Sequence, residues 1–190
     1  MQKQLLSLAF SLMLGQAFGQ TYLQKGSLKQ ILAATPKGYT VLDSASGDLN
    51  RDAHPDFILV YKKSQESDDM DNPSPRPLLL YLGQADKTYQ LASSNDKVVL
   101  CSQCGGVMGD PYSALAVKNG FFTVEHMGGS SWRWTRFITF KYNTKDKKWY
   151  LHKDGGEYFH ASEPEKSETK IKTSKDFGKI LFEQFDYNKE

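Results

Sequence analysis

Four oxygen-bearing side chains recur in one short stretch of this chain. Asp48, Asn50, Asp52 and Asp56 stand at positions 1, 3, 5 and 9 of the segment that starts at Asp48 in Gly47-Asp48-Leu49-Asn50-Arg51-Asp52-Ala53-His54-Pro55-Asp56. Alternate residues of a tight loop turn their side chains to one side, so these oxygens can converge. A hard cation such as Ca²⁺ takes about six to eight oxygens at roughly 2.3–2.6 Å, and the backbone carbonyl of His54, at position 7, adds another donor. Position 12 is Leu59, where an EF-hand needs a bidentate Glu, and the apolar run Phe57-Ile58-Leu59-Val60-Tyr61 follows in place of a helix. The expectation is one structural Ca²⁺ held by Asp48, Asn50, Asp52, His54 and Asp56. The alternative is a hairpin loop closed by Asx-turns without an ion, in which three carboxylates crowd uncompensated.

The spacing Asp48-x-Asn50-x-Asp52-x-x-x-Asp56, with Gly47 before it and a hydrophobic run after it, resembles the calcium loops of FG-GAP and VCBS-type repeats on integrin-like β-propellers. The resemblance covers one short stretch and occurs once, whereas those propellers carry many blades. It implies Ca²⁺ as the cofactor. It departs at position 6, where the repeats carry Gly and this chain carries Ala53. If that residue takes a positive φ, Ala costs on the order of 1 kcal/mol and weakens the loop's affinity. The whole pattern is also similar to a group of small, uncharacterised exported bacterial proteins that pair a GDLNxD loop with CGGxxGDPY and GGSSWRW segments. Here the last two are Cys104-Gly105-Gly106-Val107-Met108-Gly109-Asp110-Pro111-Tyr112 and Gly128-Gly129-Ser130-Ser131-Trp132-Arg133-Trp134. That likeness implies export and brings no activity with it.

Cys101 and Cys104 are the only cysteines. In an exported chain an even count favours a disulfide. So small a loop gains little chain entropy, about 1–2 kcal/mol. Reduced thiols rank second. Redox chemistry needs a thiol exposed at a helix N-terminus, and zinc needs more ligands than two sulfurs, so both rank last. Gly109-Asp110-Pro111-Tyr112 reads as a turn. His126 followed by Met127-Gly128-Gly129-Ser130-Ser131 raises a hydrolase question, but no nucleophile elbow or matching acid motif accompanies it, and the stretch reads as a flexible hairpin connection.

An export signal would set the compartment for all of this. Lys3 precedes an apolar run, Leu5–Leu14, that is shorter than the roughly 20 residues needed to span a bilayer. Ala17-Phe18-Gly19 then offers small residues for cleavage before Gln20. Residues 1–19 are expected to be a signal peptide and 20–190 a single β-rich domain, periplasmic or secreted, with no membrane span. In the 190-residue chain, Lys plus Arg number 24 and Asp plus Glu 22, a net charge of +2. That balance argues against nucleic acid, whose binding needs a concentrated positive excess.

The elements that must position these residues are mostly strands. Aromatic residues make up 13% of the chain, a payload typical of β-rich domains. No internal repeat of fixed period is visible, which argues against a complete propeller. Ser27 is placed to cap a short helix over 28–34, ended by Pro36 and Gly38. Strands are expected over 39–42, 57–62, 78–82, 98–101, 114–118, 121–126, 132–142 and 149–152. Asn119-Gly120 is a two-residue hairpin turn. Alternation puts Trp132, Trp134, Ile138, Phe140 and Tyr142 on a core face; if exposed, Trp132, Trp134 and Tyr142 would be able to stack a sugar. Residues 64–77 and 162–174 read as loops. The tail over 177–185 fits either a helix face or an extended segment that docks on a sheet, with the second preferred.

The fold class that follows is mainly β: an antiparallel sandwich or partial-propeller-like meander with a short N-terminal helix. The first expectation for function is a non-catalytic exported protein with one calcium loop that binds another macromolecule, a protein or envelope component. The alternatives are a periplasmic inhibitor or immunity-type protein that blocks a cell-wall enzyme, and a hydrolase using Asp48, Asp52 or His126.

Overall fold

A computed structural model describes residues 22–189. The export-signal expectation for residues 1–19 falls outside them. The chain folds as two five-stranded antiparallel sheets, one of them curled into a half-barrel. The first sheet contains β1 (Lys25–Gly26), β2 (Tyr39–Gly47), β3 (Asp56–Lys63), β4 (Leu78–Gly83) and β5 (Tyr89–Asn95), in the order β1-β5-β4-β3-β2. The second contains β6 (Tyr112–Lys118), β7 (Phe121–Gly129), β8 (Trp132–Asn143), β9 (Lys148–His160) and β10 (Glu168–Thr173), in the order β10-β9-β8-β7-β6. Within each sheet most neighbours are also neighbours in sequence, the meander that short polar turns allow.

The mainly β expectation is met, and the two sheets share one core. Ile58, Val60, Leu78 and Leu80 of the first sheet pack with Phe122, Val124, Ile138, Phe140, Trp149 and Leu151 of the second. Strand β3 is buried along both faces because its other side, Phe57, Leu59 and Tyr61, is covered by Ile31 and the N-terminal residues. Its unbroken apolar run reflects that double burial. Ile31 comes from α1 (Leu28–Ala33), started by a reciprocal cap in which Gln30 N–H donates to Ser27 Oγ at 3.4 Å and Ser27 N–H donates to Gln30 Oε1 at 2.8 Å.

Several expected elements differ. Residues 98–101 form no strand. They are a buried connection whose backbone is satisfied by side chains: Leu100 N–H donates to His126 Nε2 and Leu100 O accepts from Arg76. Strand β5, rich in Ser and Asn, is absent from the sequence reading because it gains its order from pairing with β4. Strand β10 lies inside the expected loop over 162–174; it is an exposed, charged edge strand whose composition imitates a solvated loop. The tail docks, but only in part as the preferred extended segment: α2 (Ser174–Phe177) ends at Gly178, Leu181 alone bridges to Tyr150, and Phe182–Gln184 form a single 3-10 turn, with Phe182 and Phe185 buried.

The expected flexible connection after His126 is instead a rigid joint. Gly129 N–H donates to Gly105 O at 2.8 Å, and a Cβ on Gly128 would lie 2.8 Å from Gly105 Cα and 2.5 Å from Trp134 Cζ2. The CGG and GGSSWRW segments are thus two halves of one backbone-to-backbone contact that only glycine permits. Beside them, Cys101 and Cys104 sit at bonding distance, with sulfurs 2.21 Å apart.

Candidate functional site

The Asp48 loop joins β2 to β3, and most of its polar side chains are occupied by its own backbone. Asp48 accepts from the amides of Arg51 (2.5 Å), Asp52 (3.2 Å) and Ala53 (3.2 Å), so the chain curls round this carboxylate. Asn50 Oδ1 accepts from Asp52 N–H at 3.0 Å, and Asp52 Oδ1 from His54 N–H at 2.8 Å. Such a curl needs left-handed residues, and Arg51 and Ala53 supply them at φ 64° and 67°. Position 6 therefore has the backbone that glycine would take without strain.

Asp56 does something different from its expected partners. It is fully buried, and it accepts from Leu49 N–H at 2.7 Å and Gly83 N–H at 2.9 Å. It braces the loop to β4. Burial pushes its carboxyl pKa up, the amides of Gly83 and Leu49 oppose that, and the nearby Asp52 charge adds to the rise. The Asp52 carboxyl is held down on balance: burial, the largest single influence, raises it, but the His54 amide, the Asn50 side chain and the His54 ring together outweigh that. Among the described residues, no three His, Cys, Asp or Glu side chains are gathered closely enough to hold a metal. The loop also reaches the second sheet: Gly120 N–H donates to Asp48 O at 3.0 Å, and Arg51 donates to Asn119 O at 2.9 and 3.1 Å. It pins the β6–β7 turn to the end of β2.

A cleft of about 480 Å³ adjoins the loop, with Asn50, Asp52, Gln84, Tyr142, Trp149 and Glu183 on its walls. The indole N–H of Trp149 is buried without a hydrogen-bond partner among the described residues.

A second polar centre, absent from the sequence reading, surrounds Arg76. This side chain is fully buried, yet each of its donor groups has an acceptor. Nε and Nη2 donate to Glu66 at 2.7 Å each, Nη1 and Nη2 to Asp110 at 2.7 and 2.6 Å, and Nη1 also to Leu100 O at 3.1 Å. Burial alone would lower the guanidinium pKa, but Glu66 and Asp110 raise it. Asp110 is lowered in turn, burial being outweighed by Arg76 and the Tyr112 amide. The Tyr112 hydroxyl donates to Asp43 at 2.7 Å and is pushed well up by burial and that carboxylate. The only hint in the sequence was a lone Arg between two prolines in an acidic segment, Pro75-Arg76-Pro77.

His126 completes this centre. It is 1% exposed, and its Nε2 accepts from Leu100 N–H at 3.2 Å. The neutral ring therefore carries its proton on Nδ1, which has no partner among the described residues. Burial, then Arg136 and Arg76, push its pKa down to about 3. The structure does not bring His126 to Asp48 and Asp52. Asp48 meets the chain at Gly120, and His126 lies six residues further along β7, a span of roughly 20 Å.

The described residues thus define a two-sheet antiparallel β protein with two polar centres at opposite ends of the β6–β7 hairpin. No helix among them is long and apolar enough to cross a membrane. No family model, no curated protein sequence and no solved structure matches the chain.

Proposed function

We propose that this chain is an exported, non-catalytic binding protein that carries one structural Ca²⁺ in its Asp48 loop and acts by binding another macromolecule of the cell envelope. The observation that carries the calcium reading is the loop backbone: three successive amides wrap Asp48, with Ala53 at φ 67° where FG-GAP-like loops carry glycine. Asp48, Asn50, Asp52, the His54 carbonyl and Asp56 would hold the ion, for which the three carboxylates must draw closer together than they stand here. Asp48 Oδ1 already accepts from both Arg51 and Asp52, so the cation would use Asp48 Oδ2, which accepts only from Ala53 N–H and keeps a second lone pair. The ion would supply positive charge beside Asp52 and Asp56, turning their mutual repulsion into attraction. Because this loop fastens one sheet to the other, holding it is a structural role. The separation of His126 from Asp48 and Asp52 supports a non-catalytic reading, and the paired cysteines suit an oxidising compartment.

Thermal unfolding after chelation tests the calcium. Millimolar Ca²⁺ should raise the melting temperature, reflecting about 2.7 kcal/mol when the ion stands at 100 times Kd. Asp48→Ala and Asp52→Ala should abolish that rise and keep the fold. An unchanged melting temperature with no heat of binding in calorimetry overturns the calcium reading. Intact mass of exported protein should begin at Gln20. Pull-downs from envelope extract, with and without chelator, test for the macromolecular partner.

A further inference from the structure

The two faces of the second sheet end differently. The inner face runs past the first sheet, so Trp132, which alternation puts in the core, is 52% exposed and stacks on Tyr158 instead. The outer face carries charge at the opposite end of the strands. Phe121 of β7, Lys141 of β8 and Tyr150 of β9 are register partners and so project from one face. It is the face turned away from Phe122, Phe140 and Leu151 in the core. Two neighbouring segments add to it. The Asp48 loop brings Arg51 to the β6–β7 turn, and the docked tail brings Lys179 over Tyr150.

A pocket of about 430 Å³ opens there, with Arg51, Lys141, Tyr150, His152 and Lys179 on its walls and no Asp or Glu among its described lining residues. Its three permanent cations come from three separate elements, and each is held by a group that does not neutralise it. Arg51 Nε and Nη2 donate to the Asn119 carbonyl at 3.1 and 2.9 Å, which leaves Nη1 without a partner among the described residues. The Lys141 ammonium lies 5.3 Å from the centre of the Phe121 ring, and that of Lys179 4.1 Å from the centre of the Tyr150 ring. Neither Arg51 nor Lys141 has a carboxylate within ion-pair distance among the described residues. Asp48, Asp52 and Asp176 lie near these segments in sequence but turn their carboxylates onto backbone amides. The opposing charge at the rim is Asp146, which accepts from the Tyr150 hydroxyl at 2.6 Å and from Lys179 at 3.5 Å. One carboxylate against three cations leaves the pocket positive, and Lys118, paired with Phe121, adds to that. His152 registers the field: partial burial, then Lys141 and Lys153, push its pKa down, and no carboxylate offsets them.

We propose that this pocket binds the phosphate group of an anionic ligand. A phosphate monoester carries about two negative charges on one compact centre, with three oxygens that face different ways. It can therefore meet cations that arrive from three elements, whereas a carboxylate has one charge and two coplanar oxygens. The free Nη1 of Arg51 and the ammoniums of Lys141 and Lys179 would donate charge-assisted hydrogen bonds to the phosphoryl oxygens. A carbonyl and two ring faces hold these cations in advance and leave their charge free, which keeps the ordering cost of binding small. The volume falls within the range of about 300–1,000 Å³ typical of small-ligand pockets, so the group that bears the phosphate enters with it. A soluble ligand and a lipid headgroup both present this chemistry. The inference rests on the reading of the chain as a binding protein, to whose partner it assigns a phosphate, and it does not depend on calcium in the Asp48 loop.

Calorimetric titration with pyrophosphate tests it, on protein stripped of calcium by chelator and then desalted, because chelators are themselves polyanions. Pyrophosphate should bind saturably, and tricarballylate, a tricarboxylate, should bind more weakly. Lys141→Gln and Lys179→Gln should each weaken pyrophosphate binding about fivefold or more. Lys29→Gln and Lys37→Gln remove the same charge at exposed positions in and beside α1, and should leave it within about twofold. Circular dichroism and an unchanged melting temperature check the fold of each variant. Co-sedimentation with phosphatidylcholine vesicles only when they contain phosphatidic acid, reversed by pyrophosphate, assigns the phosphate to a lipid headgroup; pyrophosphate binding without co-sedimentation assigns it to a soluble ligand. No heat with pyrophosphate, equal or tighter binding of tricarballylate, or equal losses in the α1 controls overturns the proposal. A partner captured from envelope extract alongside any of those three results overturns it while leaving the broader binding reading intact.

Discussion

The Asp48 loop and the Arg76 centre are both polar, yet they hold the molecule in different ways. The bonds that the Asp48, Asn50 and Asp52 side chains accept join residues two to five apart in sequence, although Arg51 and Asp56 of the same loop reach further, to Asn119 and Gly83. Around Arg76 they join residues 10, 24 and 34 apart. The first closes a turn in partial contact with water. The second draws three distant segments onto one fully buried cation, with Glu66 nearly buried and Asp110 at the surface side of the centre, 39% exposed. A local polar network is therefore replaceable, and a buried long-range one is not.

Arg76→Met breaks this contrast most severely. It leaves Glu66 and Asp110 close together without their cation; breaking a fully buried pair costs about 3–5 kcal/mol, and the 39% exposure of Asp110 puts this loss at the lower end of that range. The urea midpoint should fall accordingly, and Arg76→Lys should recover little, because one ammonium cannot serve two carboxylates and a carbonyl in fork geometry. Asp48→Ala, measured in chelator, should cost about 1 kcal/mol or less, the scale of a lost cap. Equal losses in the two variants would remove the distinction.

Acid should separate the two regions next. The His126 pKa falls from 6.5 to about 3 in the folded protein. A group depressed on folding contributes stability that is complete above its unfolded pKa and lost as pH falls towards the folded one. Between about pH 7.5 and about pH 4 the loss should reach about 3 kcal/mol. Asp110, also depressed, adds its loss at lower pH still. Asp56 works the other way: its raised pKa contributes stability present in acid and lost as pH rises through the folded value. The His126→Gln variant keeps an acceptor for Leu100 N–H and removes the titration, so its stability should vary little across that window in chemical denaturation. A wild-type slope that survives in His126→Gln would place the acid response elsewhere.

The same contrast explains what could be read from the residues alone. The Asp48 loop was legible because its determinants are neighbours: oxygen spacing, the need for a left-handed residue at 53, and the strand that follows. The capped helix and the Asn119-Gly120 hairpin were legible for the same reason. Asp56 belonged to the loop by spacing but to β4 by contact, and only the placement of Gly83 shows that. Arg76 was invisible because its partners lie in three separate segments, each ordinary by itself. Strand β10 was hidden by its charges, and Trp132 was misplaced because alternation tells which residues share a face, not how far the opposing sheet extends.

The smallest expected effect sharpens the loop side of the comparison. Ala53 sits at φ 67°, where an L side chain is strained by roughly 1–2 kcal/mol. Glycine relieves that strain, while its greater freedom in the unfolded chain offsets about 0.5–1 kcal/mol. Ala53→Gly should therefore gain about 0.5–1 kcal/mol in chelator, read as a higher urea midpoint with an unchanged slope. Lys87, at φ 60° in the β4–β5 turn, is the internal control, since Lys87→Gly relieves the same strain outside the cleft that Asn50 and Asp52 line. If Ca²⁺ uses the loop as it stands, Ala53→Gly should tighten its binding and Lys87→Gly should not. The coupling arises only if the backbone at 53 belongs to the site. Equal calcium affinity in the two variants would show that the left-handed turn at Ala53 closes the loop and takes no part in holding an ion.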